Sequence, residues 1–321
     1  FGRRSARGSR LGGMYGSHLS IAGTMLNALA EARTLEMDTV QVFTKNQQQW
    51  KAKPLDEGMV REWRAELKAR GWEGRVVSHA SYLINLASPA DELWGKSVDL
   101  MTEEIERCET LGIAFLVHHP GAYTTSSAEE GIGRIASAYR ELFKRTKGYR
   151  TVCCLEDTVG SGSNLGRTFE ELAAIRGAIV EATGAPGRVG YCLDTCHMHA
   201  GGYDLSTRAG GEAAIKAFDA ACGLEHLHAL HVNDSKGKAG SRLDRHAHIG
   251  EGTIGGGTET GTLAKSGFAA FMGDERFREI PKILETPKED DPDGTPMDRV
   301  NLNRLKGLEG GKMTPAGKRK K

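Results

Sequence analysis

Eight times along the chain a short apolar run is followed by a stretch whose apolar residues recur at helical spacing, and this alternation limits the possible folds more than any other feature. The runs fall at residues 14–21, 39–43 (TVQVF), 76–77, 114–119 (AFLVHH), 151–156 (TVCCLE), 189–194 (VGYCLD), 226–232 (HLHALHV) and 281–285 (PKILE). Between them, Met59, Trp63 and Leu67 share one helical face that stops at Gly71. Val98, Met101, Ile105, Cys108 and Leu111 share another that stops at Gly112. Ile132, Ile135, Tyr139 and Leu142 mark a further helix, and Thr168 with Glu171 reads as a capping box opening the next. Strands that alternate with helices pair in parallel, and eight such units predict closure into an α/β (β/α)8 TIM barrel. An open, doubly wound sheet is the alternative, weakened in its dinucleotide-binding form because no G-x-G-x-x-G follows the first strand.

In a barrel the chemistry sits at the C-terminal ends of the strands, so the residues there are the ones to inspect. His79 ends the third run, His119 the fourth, Glu156 the fifth, Asp194 the sixth, His231 the seventh and Glu285 the eighth. Asp244 and His246 follow the seventh in SRLDRH. In the stretch VGYCLDTCHMHAGGYD, Asp194 ends a strand and His197 is expected in the loop beyond, with Gly201 and Gly202 breaking any helix. Taken alone, Asp194 could cap a helix and His197 could merely pack. Together the nine residues give five imidazoles and four carboxylates, more than one zinc ion accepts, so two or three clustered divalent metals are expected. His18, at the end of the first run, either orients a ligand or phosphate or simply packs. His118, His226, His228 and His248 are read as packing or surface residues, and His199 stays open.

The net charge of +1 gives no whole-molecule attraction to nucleic acid, so a DNA-binding function would need a local surface. Basic residues gather at 1–13 and 310–321, read as flexible segments flanking one domain at 14–309. The six cysteines lack the spacing of a disulfide framework, which favours a reducing compartment. Cys153 and Cys154 should point to opposite faces of a strand, whereas Cys196 lies beside two candidate ligands. No apolar run is long enough to span a membrane.

The motifs HASYLINLA at His79, HPG at His119, GSNLG at Gly162, GYCLDTCH at Gly190, AGGYDL at Ala200, HVNDSKGKAGSRLDRH at His231 and GEGTIG at Gly250 resemble the endonuclease IV family of apurinic/apyrimidinic (AP) endonucleases. FTKNQQQW at Phe43 belongs to the same pattern, and the similarity runs from Tyr15 to Leu308. The resemblance implies a TIM barrel with three divalent ions, mostly zinc, with manganese accommodated at one site. It assigns His79 and His119 to one ion with Glu156 bridging to the next, Asp194, His231 and Glu285 to the second, and His197, Asp244 and His246 to the third. It implies a DNA-repair hydrolase in which Glu156, Glu285 and Asp194 act at the reacting centre. The cut falls 5′ to an abasic deoxyribose and leaves a 3′-hydroxyl and a 5′-deoxyribose phosphate, with trimming of blocked 3′ ends. Tyr82 and Leu83 match the loop inserted into duplex DNA, and Gln48 stands where well-known bacterial relatives carry an arginine. Asp157 stands for a usual Asn, His199 for a usual Phe, and 258–265 looks like an insertion. The expected partner is double-stranded DNA with abasic sites or blocked 3′ ends, met by a monomer in a DNA-containing intracellular compartment. The rivals are a sugar or sugar-phosphate isomerase or epimerase on the same barrel, which needs fewer ligands, and a non-catalytic binder of damaged DNA.

Overall fold

Register fixes the architecture: every neighbouring pair in the main sheet is parallel, and the strand order returns to its start. The computed structural model describes residues 13–309, so the basic segments expected at 1–13 and 310–321 lie outside the described residues except for Gly13. The strands are β1 (Tyr15–Ser17), β2 (Gln41–Val42), β3 (Val77–His79), β4 (Phe115–His118), β5 (Val152–Glu156), β6 (Val189–Asp194), β7 (Leu227–His231), β8 (Asp234–Ser235), β9 (His246–Ala247) and β10 (Lys282–Leu284). The α-helices are α1 (Leu26–Thr34), α2 (Glu57–Arg70), α3 (Asp91–Leu111), α4 (Ala128–Arg145), α5 (Phe169–Thr183), α6 (Thr195–Gly201), α7 (Arg208–Cys222), α8 (Thr260–Leu263), α9 (Gly267–Gly273) and α10 (Met297–Lys306).

The sheet runs β1-β10-β7-β6-β5-β4-β3-β2, and β8 pairs with β9 as a separate antiparallel ribbon. A parallel bridge between His18 and Gln41, with Leu19 N–H donating to Gln41 O at 2.9 Å, joins β1 to β2 and closes the barrel. The closure is tight: a Cβ on Gly16 would stand 2.3 Å from Thr39 O, so no larger residue fits there. The eight-unit reading therefore holds, and the open sheet does not form.

Alternation along the strands builds two cores. Val77, Val117, Cys154, Cys192, Ala229 and Ile283, one from each of six strands, fill the lumen. Cys153 faces the other way, into the layer between barrel and helices with Trp63, Ile105, Tyr139, Phe169 and Phe218. All six cysteines are buried and free. Helices α2 and α3 end where the sequence predicts, with Gly71 and Gly112 in the left-handed conformation at φ 68° and 70°. The Thr168 hydroxyl caps α5 by accepting from Glu171 N–H, but the Glu171 carboxylate reaches back to the N–H groups of Gly166 and Arg167. That makes the return arm of the capping box one to two residues longer than expected. The segment 258–265 contains α8, and Lys265 O accepts from Arg208 N–H at 2.5 Å, tying it to the start of α7. None of the described helices is long and apolar enough to cross a membrane.

Candidate metal centre

His79 is the last residue of β3, and its Nδ1 lies 2.7 Å from Ala80 O, which leaves Nε2 to face Glu156 Oε2 at 3.1 Å. His119, one residue past β4, brings its Nε2 to 3.2 Å from the same oxygen. Ligand atoms of His79, His119 and Glu156 lie within 4.8 Å of one another. The other Glu156 oxygen is 2.7 Å from His231 Nδ1, at the end of β7. Glu285 Oε2 lies 3.1 Å and Asp194 Oδ2 4.0 Å from that nitrogen, and these four residues form a second group of the same compactness.

The third cluster departs from the expected local structure. Asp194 accepts from the N–H groups of Cys196 and His197 and so caps α6, which places His197 on a seven-residue helix rather than in a loop. The glycines expected to prevent this helix end it instead. Capping and membership of the cluster coexist because Asp194 Oδ1 does the former while Oδ2 faces His246 Nε2 at 3.6 Å. Asp194, His197 and His246 form one compact group, and Cys196, Asp244 and His246 another. Asp244 Oδ1 is 3.4 Å from His197 Nε2 and 3.6 Å from His246 Nε2.

Nitrogen and oxygen donors of this kind suit zinc, and two observations show that the residues present fit a cation. His246 Nε2 is buried with no hydrogen-bond partner, an unfavourable condition for a polar nitrogen unless something else takes its lone pair. His231 Nδ1 faces oxygens of two buried carboxylates and of half-buried Glu285, and one proton cannot satisfy three acceptors. The electrostatics have the same origin. Burial alone would depress the His231 imidazole, but Cys192, Glu285 and Glu156 hold it well above its usual range. Burial would likewise raise Glu156 and Glu285, yet His231, aided by His119 at the first and His18 at the second, keeps both carboxyls well below theirs.

Three supporting residues escape a search for ligand chemistry. Gln41 is fully buried, with Nε2 donating to Glu285 Oε1 at 2.7 Å and Oε1 2.8 Å from His231 Nε2. Asn233 Nδ2 donates to Asp194 Oδ2 and its Oδ1 accepts from Glu285 N–H, so one amide spaces two carboxylate residues. Glu104, buried in mid-helix on α3, accepts from Ser81 N–H and Thr44 Oγ1 and so joins the loops after β3 and β2. Only Asn233 leaves a trace, inside the HVND motif, since a lone Gln in a strand or Glu in a helix carries no ligand pattern.

The remaining expectations sort clearly. His18 Nδ1 lies 2.9 Å from Gln41 Nε2 and 3.6 Å from Glu285 Oε1, while Nε2 is buried without a partner. His199 accepts from Leu205 N–H and lies 3.1 Å from Thr253 Oγ1, which fixes the turn after α6. His118 pairs with Tyr139, His228 stacks on Phe115, and His248 pairs with Glu289. Burial pushes the Asp157 carboxyl well above its usual range, and its Oδ1 accepts from Asp194 N–H at 2.6 Å.

Tyr82 is 62% exposed, its ring 5.2 Å from that of His79 and 6.1 Å from that of His119. Leu83, expected to project with it, instead packs its side chain against the core and is half-buried. Gln48 is exposed on the neighbouring loop, which Ser81 Oγ anchors by donating to Gln47 O at 2.6 Å. Among the described residues the exposed large hydrophobics are Trp50, Tyr82 and Leu243, all on loops of the metal-cluster face. A cavity of about 290 Å3 beside Tyr82 is lined by His79, His119 and Asn164 among others.

Comparison with known proteins agrees with this geometry. A family model described as a xylose isomerase-like TIM barrel matches residues 29–296. The chain is 43% identical to the probable endonuclease 4 of Trichlorobacter lovleyi over 91% of this chain and 98% of that one. It is 42% identical to the probable endonuclease 4 of Geobacter sulfurreducens, over 91% and 93%. The crystal structure of endonuclease IV from Thermus thermophilus superimposes with a TM-score of 0.76 at 34% identity, covering 92% of this chain and 98% of that one. A D-tagatose 3-epimerase-like protein matches at a TM-score of 0.63 but 16% identity, covering 92% and 96%, a likeness of fold alone. With its barrel, its three clusters of imidazole and carboxylate, and these relatives, the chain belongs to the endonuclease IV family of AP endonucleases.

Proposed function

We propose that this enzyme hydrolyses DNA on the 5′ side of abasic sites, leaving a 3′-hydroxyl and a 5′-deoxyribose phosphate, and that it also trims blocked 3′ ends. The observation that carries the reading is Glu156, whose two oxygens face two different clusters at hydrogen-bond distance. In this reading His79, His119 and Glu156 hold one divalent ion. Glu156, Asp194, His231 and Glu285 hold a second, and His197, Asp244 and His246 a third, with zinc preferred throughout and manganese accommodated at one site. Bound there, such ions activate water near neutral pH and neutralise charge on the departing oxygen.

The chain's own residues set the geometry around that chemistry. Glu156 and Asp194, both buried, and half-buried Glu285 keep negative charge at the mouth of the barrel, so the site is shaped for cations before DNA arrives. Hydrolysis adds the oxygen of water to phosphorus and breaks the bond to the 3′-oxygen, which leaves with a proton. Two lysines on loops of this face are otherwise engaged: Lys45 donates to Asn46 O and Gln49 O, and Lys288 to Asp298 and Ser17. In this reading Tyr82, which is exposed, enters the duplex with Gln48 of the adjoining loop where the missing base makes unstacking cheap. Residues 14–309 form the catalytic unit, acting as a monomer on duplex DNA inside the cell.

A duplex with one defined abasic site tests the reading. The expected products carry a 3′-hydroxyl and a 5′-deoxyribose phosphate. A 3′ unsaturated aldehyde would mean elimination, and turnover of free sugars without DNA cleavage would replace the nuclease by an isomerase or epimerase.

A further inference from the structure

We propose that Gln41 is a positioning residue that sets the tautomers of two imidazoles at the metal centre, His231 and His18. The inference rests on the metal reading above and starts from a carboxylate. Glu285 Oε1 lies 2.7 Å from one end of the Gln41 amide, and since an ionised carboxylate only accepts, that end must be the NH2 group. The orientation of the amide is thereby fixed. Its carbonyl oxygen then lies 2.8 Å from His231 Nε2 and can only accept, so the proton sits on Nε2. With Nε2 keeping its proton, Nδ1, the nitrogen that faces Glu156, Glu285 and Asp194, is the one left to give its lone pair to a cation. The second N–H of the amide points to His18 Nδ1 at 2.9 Å, which must accept, and the His18 proton is placed on Nε2.

Three features make this a built arrangement. Gln41 is fully buried, so water does not compete for the amide. Its backbone also carries the bridge to His18 that closes the barrel, which couples side-chain placement to closure. Its three polar contacts use both donors and the acceptor at once, leaving no alternative rotamer of equal energy. A hydrogen bond to the non-ligating nitrogen orients a metal-binding imidazole and raises its basicity, an effect of about 10- to 100-fold in metal affinity.

The experiment uses the full chain with zinc alone as the probe. Zinc affinity and stoichiometry are read by competition with a chromophoric chelator, and ring protons of the zinc-loaded protein by nitrogen–proton correlation on histidine-labelled material. The parent should show a slowly exchanging His231 Nε2 proton. Gln41→Met should bind one ion about 10- to 100-fold more weakly and lose the protection of that proton. Gln41→Glu keeps the shape but cannot donate to Glu285, and should weaken the same ion. Absence of the Nε2 proton in the parent overturns the proposal, as does parental zinc affinity in both variants. If Gln41→Met does not fold, the parent spectrum and Gln41→Glu decide. A parent that folds and takes up no zinc overturns the metal reading itself, whereas parental affinity in the variants overturns only the role of Gln41.

Discussion

Glu156 Oε1 and His231 Nδ1 stand 2.7 Å apart, while the other oxygen of the same carboxylate lies 3.1 Å from His79 Nε2. One side chain thus belongs to two clusters and faces four histidines, His79, His119, His197 and His231, whereas His231 faces three carboxylates. Glu156→Gln should therefore lose activity beyond any single histidine substitution, by at least about tenfold in kcat/KM, or roughly 1.4 kcal/mol. It should also reduce bound metal by more than one ion in elemental analysis. Zinc should raise the thermal stability of the parent, by about 2.7 kcal/mol at a hundredfold excess over Kd, and a chelator should reverse it. A variant holding the full metal complement would contradict the bridging role.

Tyr82 and Leu83, adjacent in sequence, should separate in their effects. The exposed Tyr82 ring rests 5.9 Å from that of Phe43, so Tyr82→Ala should keep stability within about 0.5 kcal/mol and retain metal, yet weaken binding to abasic duplex by up to a few kcal/mol. Leu83 packs on the core, and Leu83→Ala should cost about 1–2 kcal/mol of stability as well. Denaturation and duplex binding at one fixed salt concentration read both quantities. Equal stability losses at the two positions would undo the distinction.

Why some of this is legible in the sequence and some is not follows from the range of each interaction. Strand ends such as His79, Glu156 and His231 are set by alternation and by glycine stops, which are local. The first strand ends short of its apolar run where His18, its N–H still donating to Leu284 O of β10 at 2.8 Å, also bridges Gln41, a contact 23 residues away. The helix at His197 is hidden because Asp194 supplies a cap whose strength outweighs the nearby glycines for about two turns. The burial of Leu83 is hidden because exposure depends on what the loop folds against. Gln41 and Glu104 act only through partners distant in sequence, so their neighbours in the chain give no sign of them.

A pH effect far from the metal clusters should come from Lys282. Burial lowers its ammonium group to about 8, with Glu309 and Glu279 opposing, and its Nζ donates to Phe277 O and Ile280 O. The folded pKa lies below the unfolded value, so the unfolded chain binds more protons between about pH 8 and 10.5 and stability from this group rises with pH across that window. Below pH 8 the penalty is constant. The gain is at most about 3 kcal/mol, from roughly 1.36 kcal/mol per unit. Chemical denaturation at pH 7.5 and 10 should show the parent gaining on Lys282→Met over this interval, and a constant difference between the two would show that Lys282 titrates normally.

Gln48 offers the last prediction, since the loop is already built to present a longer side chain. Its backbone N–H is held by Asn46 Oδ1 at 2.9 Å, and the next loop residue back is fastened through Gln47 O to Ser81, so position 48 is exposed on an anchored backbone. An arginine there adds a cation without having to order the loop. With a net charge of only +1 the chain has little global attraction for DNA, and one new phosphate contact should be visible. Gln48→Arg should bind abasic duplex more tightly at low salt, and the slope of log K against log salt should steepen by about 0.9. Gln48→Ala removes an uncharged group and should cost less than Tyr82→Ala, with no change in slope. If Gln48→Arg leaves both affinity and slope at parental values, position 48 lies off the DNA and the loop after β2 serves only to support Tyr82.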